Sequence, residues 1–172
     1  HAISITNGTL ALYAALKAMD LKNEQEVIVP NMTFIATSNA VIMAGGKPVL
    51  CDINKDDFGI DLKKAKLLVN KNPWGIIPVH LYGISNNVEK IIQFAKNHGL
   101  KVLEDAAQGV GVFYKNQHTG TFGDAGILSF YGNKTITTGE GGIVLTNNDE
   151  IAKKVYRLKN HGRDTKGTFV HH

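Results

Sequence analysis

Lys134 lies in a run of mostly small residues, Ser129-Phe130-Tyr131-Gly132-Asn133-Lys134-Thr135-Ile136-Thr137-Thr138-Gly139-Glu140-Gly141-Gly142. Gly126 to Tyr131 reads as an apolar strand and Ile143 to Thr146 as a second β-rich run, so the lysine is held between strands and not on a solvated helix face. That placement suits carbonyl chemistry. A lysine nucleophile must be partly desolvated, or placed near positive charge, to present the free base that forms a Schiff base. The spacing is not that of a nucleotide P-loop. Five residues separate Gly126 from Gly132 where that motif has four, and Asn133 stands between Gly132 and Lys134.

Four further features could serve a ligand. Asn7-Gly8-Thr9 precedes a helix-like run, Leu10 to Met19. Glycine permits close backbone approach, threonine adds a hydroxyl, and a helix N-terminus offers free N–H groups and partial positive charge. The triplet therefore suits a phosphate, or is an ordinary helix cap. Asp105 follows the short strand Lys101 to Leu103 and precedes Ala106, Ala107 and Gln108. A carboxylate there can pair with a cationic ring nitrogen or cap a helix. Glu104, next to it, points to the opposite face and reads as structural. Phe34, four residues past Pro30, can stack on a flat ligand or fill the core, and Ser129 can add a hydroxyl to a phosphate cup.

The elements that must carry these residues follow from periodicity and punctuation. Glu26 to Val29 reads as a strand ending at Pro30, Thr33 to Ala44 as a helix closed by Gly45-Gly46, and Lys47 to Ile53 as the next strand. Leu62 to Val69 reads as a helix capped by Asp61, Trp74 to His80 as a strand, and Val88 to Asn97 as a helix stopped by Gly99. Phe113 to Gly123 breaks the rhythm as a hairpin excursion, and Glu150 to Asn160 is a final helix. The alternation predicts an α/β fold: a three-layer sandwich with a mostly parallel sheet. Such sheets bind ligands beyond the carboxyl ends of their strands, which is where all the candidates fall.

Composition sets bounds. The 172 residues suit one domain, and 43% hydrophobic with 20% charged residues is ordinary globular usage. The formal charge of +4 is spread along the helices without a dense basic run, which argues against nucleic acid and fits an anionic small molecule. Cys51 is the single cysteine, so no intrachain disulfide can form; a reducing, cytoplasmic setting and a buried packing role are expected. No apolar run reaches the length of a membrane span, so no membrane partner is expected. The histidines lack metal-ligand spacing, and His171-His172 reads as a tag or a truncation point. The chain opens on His1 and enters an apolar run at once, as a piece of a longer protein would.

Taken together, the phosphate cup (Gly8, Thr9, Ser129), the ring stacker (Phe34), the carboxylate for a pyridinium nitrogen (Asp105) and the amine (Lys134) describe a pyridoxal phosphate site. At this level the chain resembles the DegT/DnrJ/EryC1/StrS sugar aminotransferase family of pyridoxal-phosphate enzymes, whose fold is of the aspartate aminotransferase type. The resemblance is collinear over nearly all 172 residues. It runs through Asn7-Gly8-Thr9, Glu26 to Pro30, Thr33-Phe34-Ile35-Ala36-Thr37, Pro78 to Gly83, Glu104 to Gln108, Gly120 to Asp124, Ser129 to Gly142 and His161-Gly162.

The resemblance implies that residues 1–172 form the large cofactor-binding domain, with a further N-terminal segment and a small C-terminal domain beyond them. It implies that Lys134 bonds the cofactor and carries the proton, and that Asp105 keeps the ring nitrogen protonated. Gln108 would lie near the ring hydroxyl, Phe34 would cover a ring face, and Gly8, Thr9 and Ser129 would bind the phosphate. The implied activity moves an amino group from L-glutamate to a nucleotide-linked keto sugar, in a homodimer whose subunits complete each other's sites, for polysaccharides such as O-antigen. Tyr131 to Gly142 is most similar to the perosamine synthase branch, which acts on GDP-4-keto-6-deoxymannose. Two alternatives are a pyridoxamine-dependent sugar dehydratase of the same family, which carries histidine where this chain has Lys134, and a non-catalytic binding or regulatory protein of the same fold.

Overall fold

The computed structural model describes residues 1–70 and 72–163, so the reading of His171-His172 lies outside the described residues. The elements run β1 (Ala2–Ile5), α1 (Gly8–Ala18), β2 (Glu26–Pro30), α2 (Ala36–Met43), β3 (Lys47–Cys51), α3 (Leu62–Leu68), β4 (Pro73–Ile76), α4 (Val88–His98) and β5 (Lys101–Asp105). The short hairpin β6 (Phe113–Tyr114) and β7 (Gln117–His118) follows, then β8 (Ala125–Ser129), β9 (Gly142–Leu145) and α5 (Asp149–Lys159). All strands outside the hairpin join one sheet in the order β1-β9-β8-β5-β4-β2-β3. From β8 to β3 every pairing is parallel, and β9 runs antiparallel to both its neighbours. The reversal has a local cause: the stretch 130–141 contains no helix that could return the chain in a crossover.

Alternate residues of the strands face opposite ways, and each face is covered. Val27, Val29, Leu103, Ile127 and Val144 pack with α1, α2 and α5, while Ile28, Ile76 and Val102 pack with α3 and α4. This is the three-layer α/β arrangement that the alternation of elements predicts. Cys51 joins the second layer. It is buried, and burial, with Asp61 and Asp52 nearby, pushes its thiol up to about 11. No described helix is long and apolar enough to cross a membrane.

The helix caps follow local chemistry. Asn7, Asp61, Asn87 and Asn148 each accept a backbone N–H from the first turn of the helix they precede. Gly99 ends α4 in the left-handed region, with φ 65°, a conformation that glycine adopts without a Cβ penalty.

Of the boundaries that differ from the sequence reading, three bear on the residues that could serve a ligand. The strand expected from Trp74 to His80 ends at Ile76, because Pro78 has no N–H for the ladder; pairing resumes only as one bridge between Val79 and Asp105. β5 runs on through Asp105, so this residue ends a strand and caps no helix. The helix expected from Thr33 starts at Ala36. Thr33 makes no cap; its hydroxyl meets that of Thr37 at 3.0 Å, and the segment after β2 carries Phe34 away from the core.

Candidate active site

Gly8, Thr9, Phe34, Asp105, Gln108, Ser129 and Lys134 all line one cavity of about 480 Å³. It opens beyond the carboxyl ends of β2, β5 and β8, at the start of α1. Every sequence-predicted site residue is therefore brought together, from segments spread over most of the chain.

One wall is the first turn of α1. Asn7 Oδ1 accepts the Leu10 N–H at 2.9 Å, and the Asn7 carbonyl accepts Ala11 N–H at 2.9 Å. The amides of Gly8 and Thr9 have no carbonyl one turn back within the helix, so they remain as donors beside the cavity. A Cβ on Gly8 would lie 2.9 Å from Ser129 Cβ and 3.1 Å from its Oγ. Glycine is thus required for α1 to start against the end of β8. The resulting cradle sets two amides and two hydroxyls together, with no acidic residue in the first turn of α1.

The opposite wall is the Lys134 loop. Phe130 N–H bonds the Gly141 carbonyl at 2.9 Å, Thr138 N–H bonds the Phe130 carbonyl at 3.0 Å, and Lys134 N–H bonds the Tyr131 carbonyl at 3.0 Å. These backbone bonds hold the loop between antiparallel β8 and β9 without using the lysine side chain. Lys134 itself is half-buried, an intermediate placement for an amine that must be reachable yet partly desolvated.

Asp105 is 5% exposed. Its Oδ2 accepts from Thr37 Oγ1 at 2.8 Å and its Oδ1 from Ala107 N–H at 3.1 Å. Burial is the largest influence on its carboxyl and pushes it above the usual carboxylate range. The Thr37 and Ala107 hydrogen bonds and the charges of His80 and Lys134 oppose this without cancelling it. A buried carboxylate of this kind, on a cavity wall, is one that a cationic ligand would relieve. Gln108 Oε1 accepts the Tyr82 N–H at 2.6 Å, which leaves its NH₂ as the group available to a ligand. Tyr82 sits in the left-handed region with φ 56°. Phe34 is 68% exposed, so it is an aromatic face at the cavity and no part of the core.

Glu104 and His80 are not paired by anything in the sequence, yet they fix this architecture. Both are fully buried, with His80 Nε2 2.9 Å from Glu104 Oε2. The same carboxylate accepts from the amides of Gly120, Phe122 and Gly123 at 2.9, 2.6 and 2.8 Å. His80 N–H in turn bonds the Asp105 carbonyl at 3.0 Å. Glu104 thus ties the turn after the hairpin to the strand that presents Asp105 on its other face. Burial pushes its carboxyl up most strongly as a single influence, but the bonds from His80, Gly123 and Gly120 together bring it below its ordinary value.

This predicts a folding effect. In Glu104→Gln an NH₂ must face backbone donors, so about 3–5 kcal/mol of stability is expected to be lost. Because the folded carboxyl is depressed, its contribution is full above the unfolded carboxylate range and fades as pH falls through the lowered value. Urea midpoints should therefore differ widely between wild type and variant at pH 7 and converge in acid.

The sequence profile of the DegT/DnrJ/EryC1/StrS aminotransferase family matches residues 1–172. The GDP-perosamine synthase of Caulobacter vibrioides is 44% identical over 164 residues, which is 95% of this chain and 44% of that protein. An aminotransferase structure from Psychrobacter cryohalolentis superposes with a TM-score of 0.93 at 37% identity, covering 98% of this chain and 43% of the other. The Bacillus subtilis NtdA structure with bound cofactor PMP superposes with a TM-score of 0.90 at 36% identity, covering 98% and 38% respectively. The chain thus spans less than half the length of each of these proteins.

Proposed function

Because the chain belongs to the DegT/DnrJ/EryC1/StrS aminotransferase family, we propose that its cavity holds pyridoxal phosphate and serves amino transfer from L-glutamate to a nucleotide-linked keto sugar. The observation that carries this reading is the cavity itself: an amine, a buried carboxylate, an exposed aromatic face and an anion cradle line one space of about 480 Å³. These donor types fit the cofactor. Glycine at position 8 lets the first turn of α1 seat against Ser129, so that backbone amides and hydroxyls converge where a phosphate could lie, and a cationic ring nitrogen beside the buried Asp105 would offset the burial that pushes its carboxyl up.

Bound pyridoxal phosphate would supply an electron sink for a carbanion next to the reacting amine. The chain supplies the rest. The Gly8 and Thr9 amides and the Thr9 and Ser129 hydroxyls take the phosphate, at the positive end of α1. Asp105 would keep the ring nitrogen protonated, Phe34 would offer its face to the ring, and the Gln108 NH₂ would be available to the ring hydroxyl. Lys134 Nζ would hold the cofactor and, as a free amine, would move the proton of the donor Cα. Orientation of these groups before reaction is their main contribution.

The sugar is of the perosamine type, GDP-4-keto-6-deoxymannose, supported by the 44% identity to a GDP-perosamine synthase. The intact enzyme is a cytoplasmic homodimer in which a second domain and the partner subunit complete the pocket, and it serves polysaccharide biosynthesis of the O-antigen kind. The retained Lys134 supports amination over dehydration.

A half-reaction screen tests this. The full-length protein in its pyridoxamine phosphate form is offered a panel of nucleotide-linked keto sugars, and return of the pyridoxal absorption is followed. GDP-4-keto-6-deoxymannose is expected to restore it fastest. Another keto sugar reacting best would correct the substrate, and none reacting would overturn the transfer reading.

A further inference from the structure

Thr37 lies in the first turn of α2 and is fully buried. Its hydroxyl has one proton and three neighbours: Asp105 Oδ2 at 2.8 Å, Thr33 Oγ1 at 3.0 Å and the Phe34 carbonyl at 3.3 Å. The carboxylate oxygen is the nearest and the only charged acceptor, so it takes the proton. Thr33 Oγ1 must then donate to Thr37. The two hydroxyls form a directed chain, Thr33 to Thr37 to Asp105, that begins at a residue lining the cavity.

We propose that Thr37 is a positioning residue that keeps Asp105 ionised and aimed for the cofactor ring nitrogen; this rests on the reading of the cavity as a pyridoxal phosphate site. Asp105 needs such help. Burial drives its carboxyl towards the neutral form, and a neutral acid cannot hold a ring cation by charge. Four groups favour the ionised form: the Thr37 hydroxyl, the Ala107 amide, His80 and Lys134. Lys134 is committed to chemistry in the proposed reaction, and His80 is bonded to Glu104, which lies on the other face of β5. The Ala107 amide holds only Oδ1. Thr37 alone among the described hydrogen bonds secures Oδ2, from an element 68 residues away in the chain.

Thr37→Val keeps the volume and removes the donor, and Thr37→Ser keeps the donor. Both are compared with wild type in the full-length protein, with pyridoxal phosphate as the probe. Affinity is read by absorbance titration, and ring protonation by NMR of cofactor labelled with ¹⁵N in the ring. Thr37→Val should bind about tenfold more weakly, the scale of one hydrogen bond to a charged group. Its ring nitrogen should lose its proton within about pH 6–9, where wild type retains it. Thr37→Ser should restore both. If Thr37→Val does not fold, Thr37→Ala is read in its place. Unchanged affinity and ring protonation in the variant, with wild type loaded normally at Lys134, would overturn the role of Thr37 and leave the cofactor reading intact. Equal losses in Thr37→Val and Thr37→Ser would assign the effect to side-chain shape and also overturn it. Failure of wild type to bind pyridoxal phosphate would remove the cofactor reading first, and this inference with it.

Discussion

Lys134→Ala in the full-length protein is expected to abolish amino transfer while pyridoxamine phosphate still binds. In the proposed reaction two functions go with one side chain: the bond to the cofactor and the proton relay at the donor Cα. Positioned proton transfer alone is worth about 10²–10⁴-fold, and residues that act as a unit cost more, so a loss of at least ~10⁴-fold in kcat is expected. Binding persists because the lysine side chain takes no part in the cradle of Gly8, Thr9 and Ser129. The loop also keeps its shape, since the backbone bonds of Phe130, Thr138 and Lys134 and the hydroxyl bonds of Thr137 and Thr138 that set it do not use the lysine side chain. Turnover assays beside a pyridoxamine phosphate titration separate the two effects. Near-normal turnover would remove Lys134 from the mechanism.

Asp105→Asn is expected to cost at least ~10²-fold in rate, the scale of removing one preorganised electrostatic partner. The shape survives. The oxygen of the new amide can still accept from the Ala107 N–H, and Thr37 can turn its proton to the Phe34 carbonyl. The lost charge is what matters, because a neutral amide cannot hold a ring cation. The cofactor-free protein should respond in the opposite direction. Burial holds the folded Asp105 carboxyl above its unfolded value, so the wild-type residue favours the fold in acid and loses that contribution as pH rises through the raised value. The variant should therefore be at least as stable as wild type at neutral pH when empty, and lose any advantage in acid. Denaturation of the cofactor-free proteins at the two pH values reads this directly. Wild-type rates in Asp105→Asn would reduce the carboxylate to a backbone clasp.

Much of the layout follows from local chemistry that a sequence carries openly. Proline at the end of β2, glycine after α2 and α4, and asparagine or aspartate before α1, α3, α4 and α5 punctuate the chain where the structure does. The β-α alternation then places Gly8, Phe34, Asp105 and Ser129 at strand or helix ends on one side of the sheet. What the sequence hides is pairing across distance. Nothing in the strings around Thr37 and Asp105 marks them as partners, and Glu104 looks like any charged strand residue until Gly120, Phe122 and Gly123 fold onto it. The late start of α2 is hidden for another reason. Thr33 has the chemistry of a helix cap, but its hydroxyl bonds Thr37 instead, and helical backbone begins at Ile35 without a side-chain cap. The antiparallel turn of β9 is visible only once the Lys134 loop is known to hold no helix.

The most direct test of the account is the position of the cofactor bond. Full-length protein loaded with pyridoxal phosphate is reduced with borohydride, which fixes the cofactor to the amine that holds it, and the labelled peptide is located by mass spectrometry. One label per chain, on Lys134, is expected. A label on another lysine, or none with the cofactor bound, would contradict it.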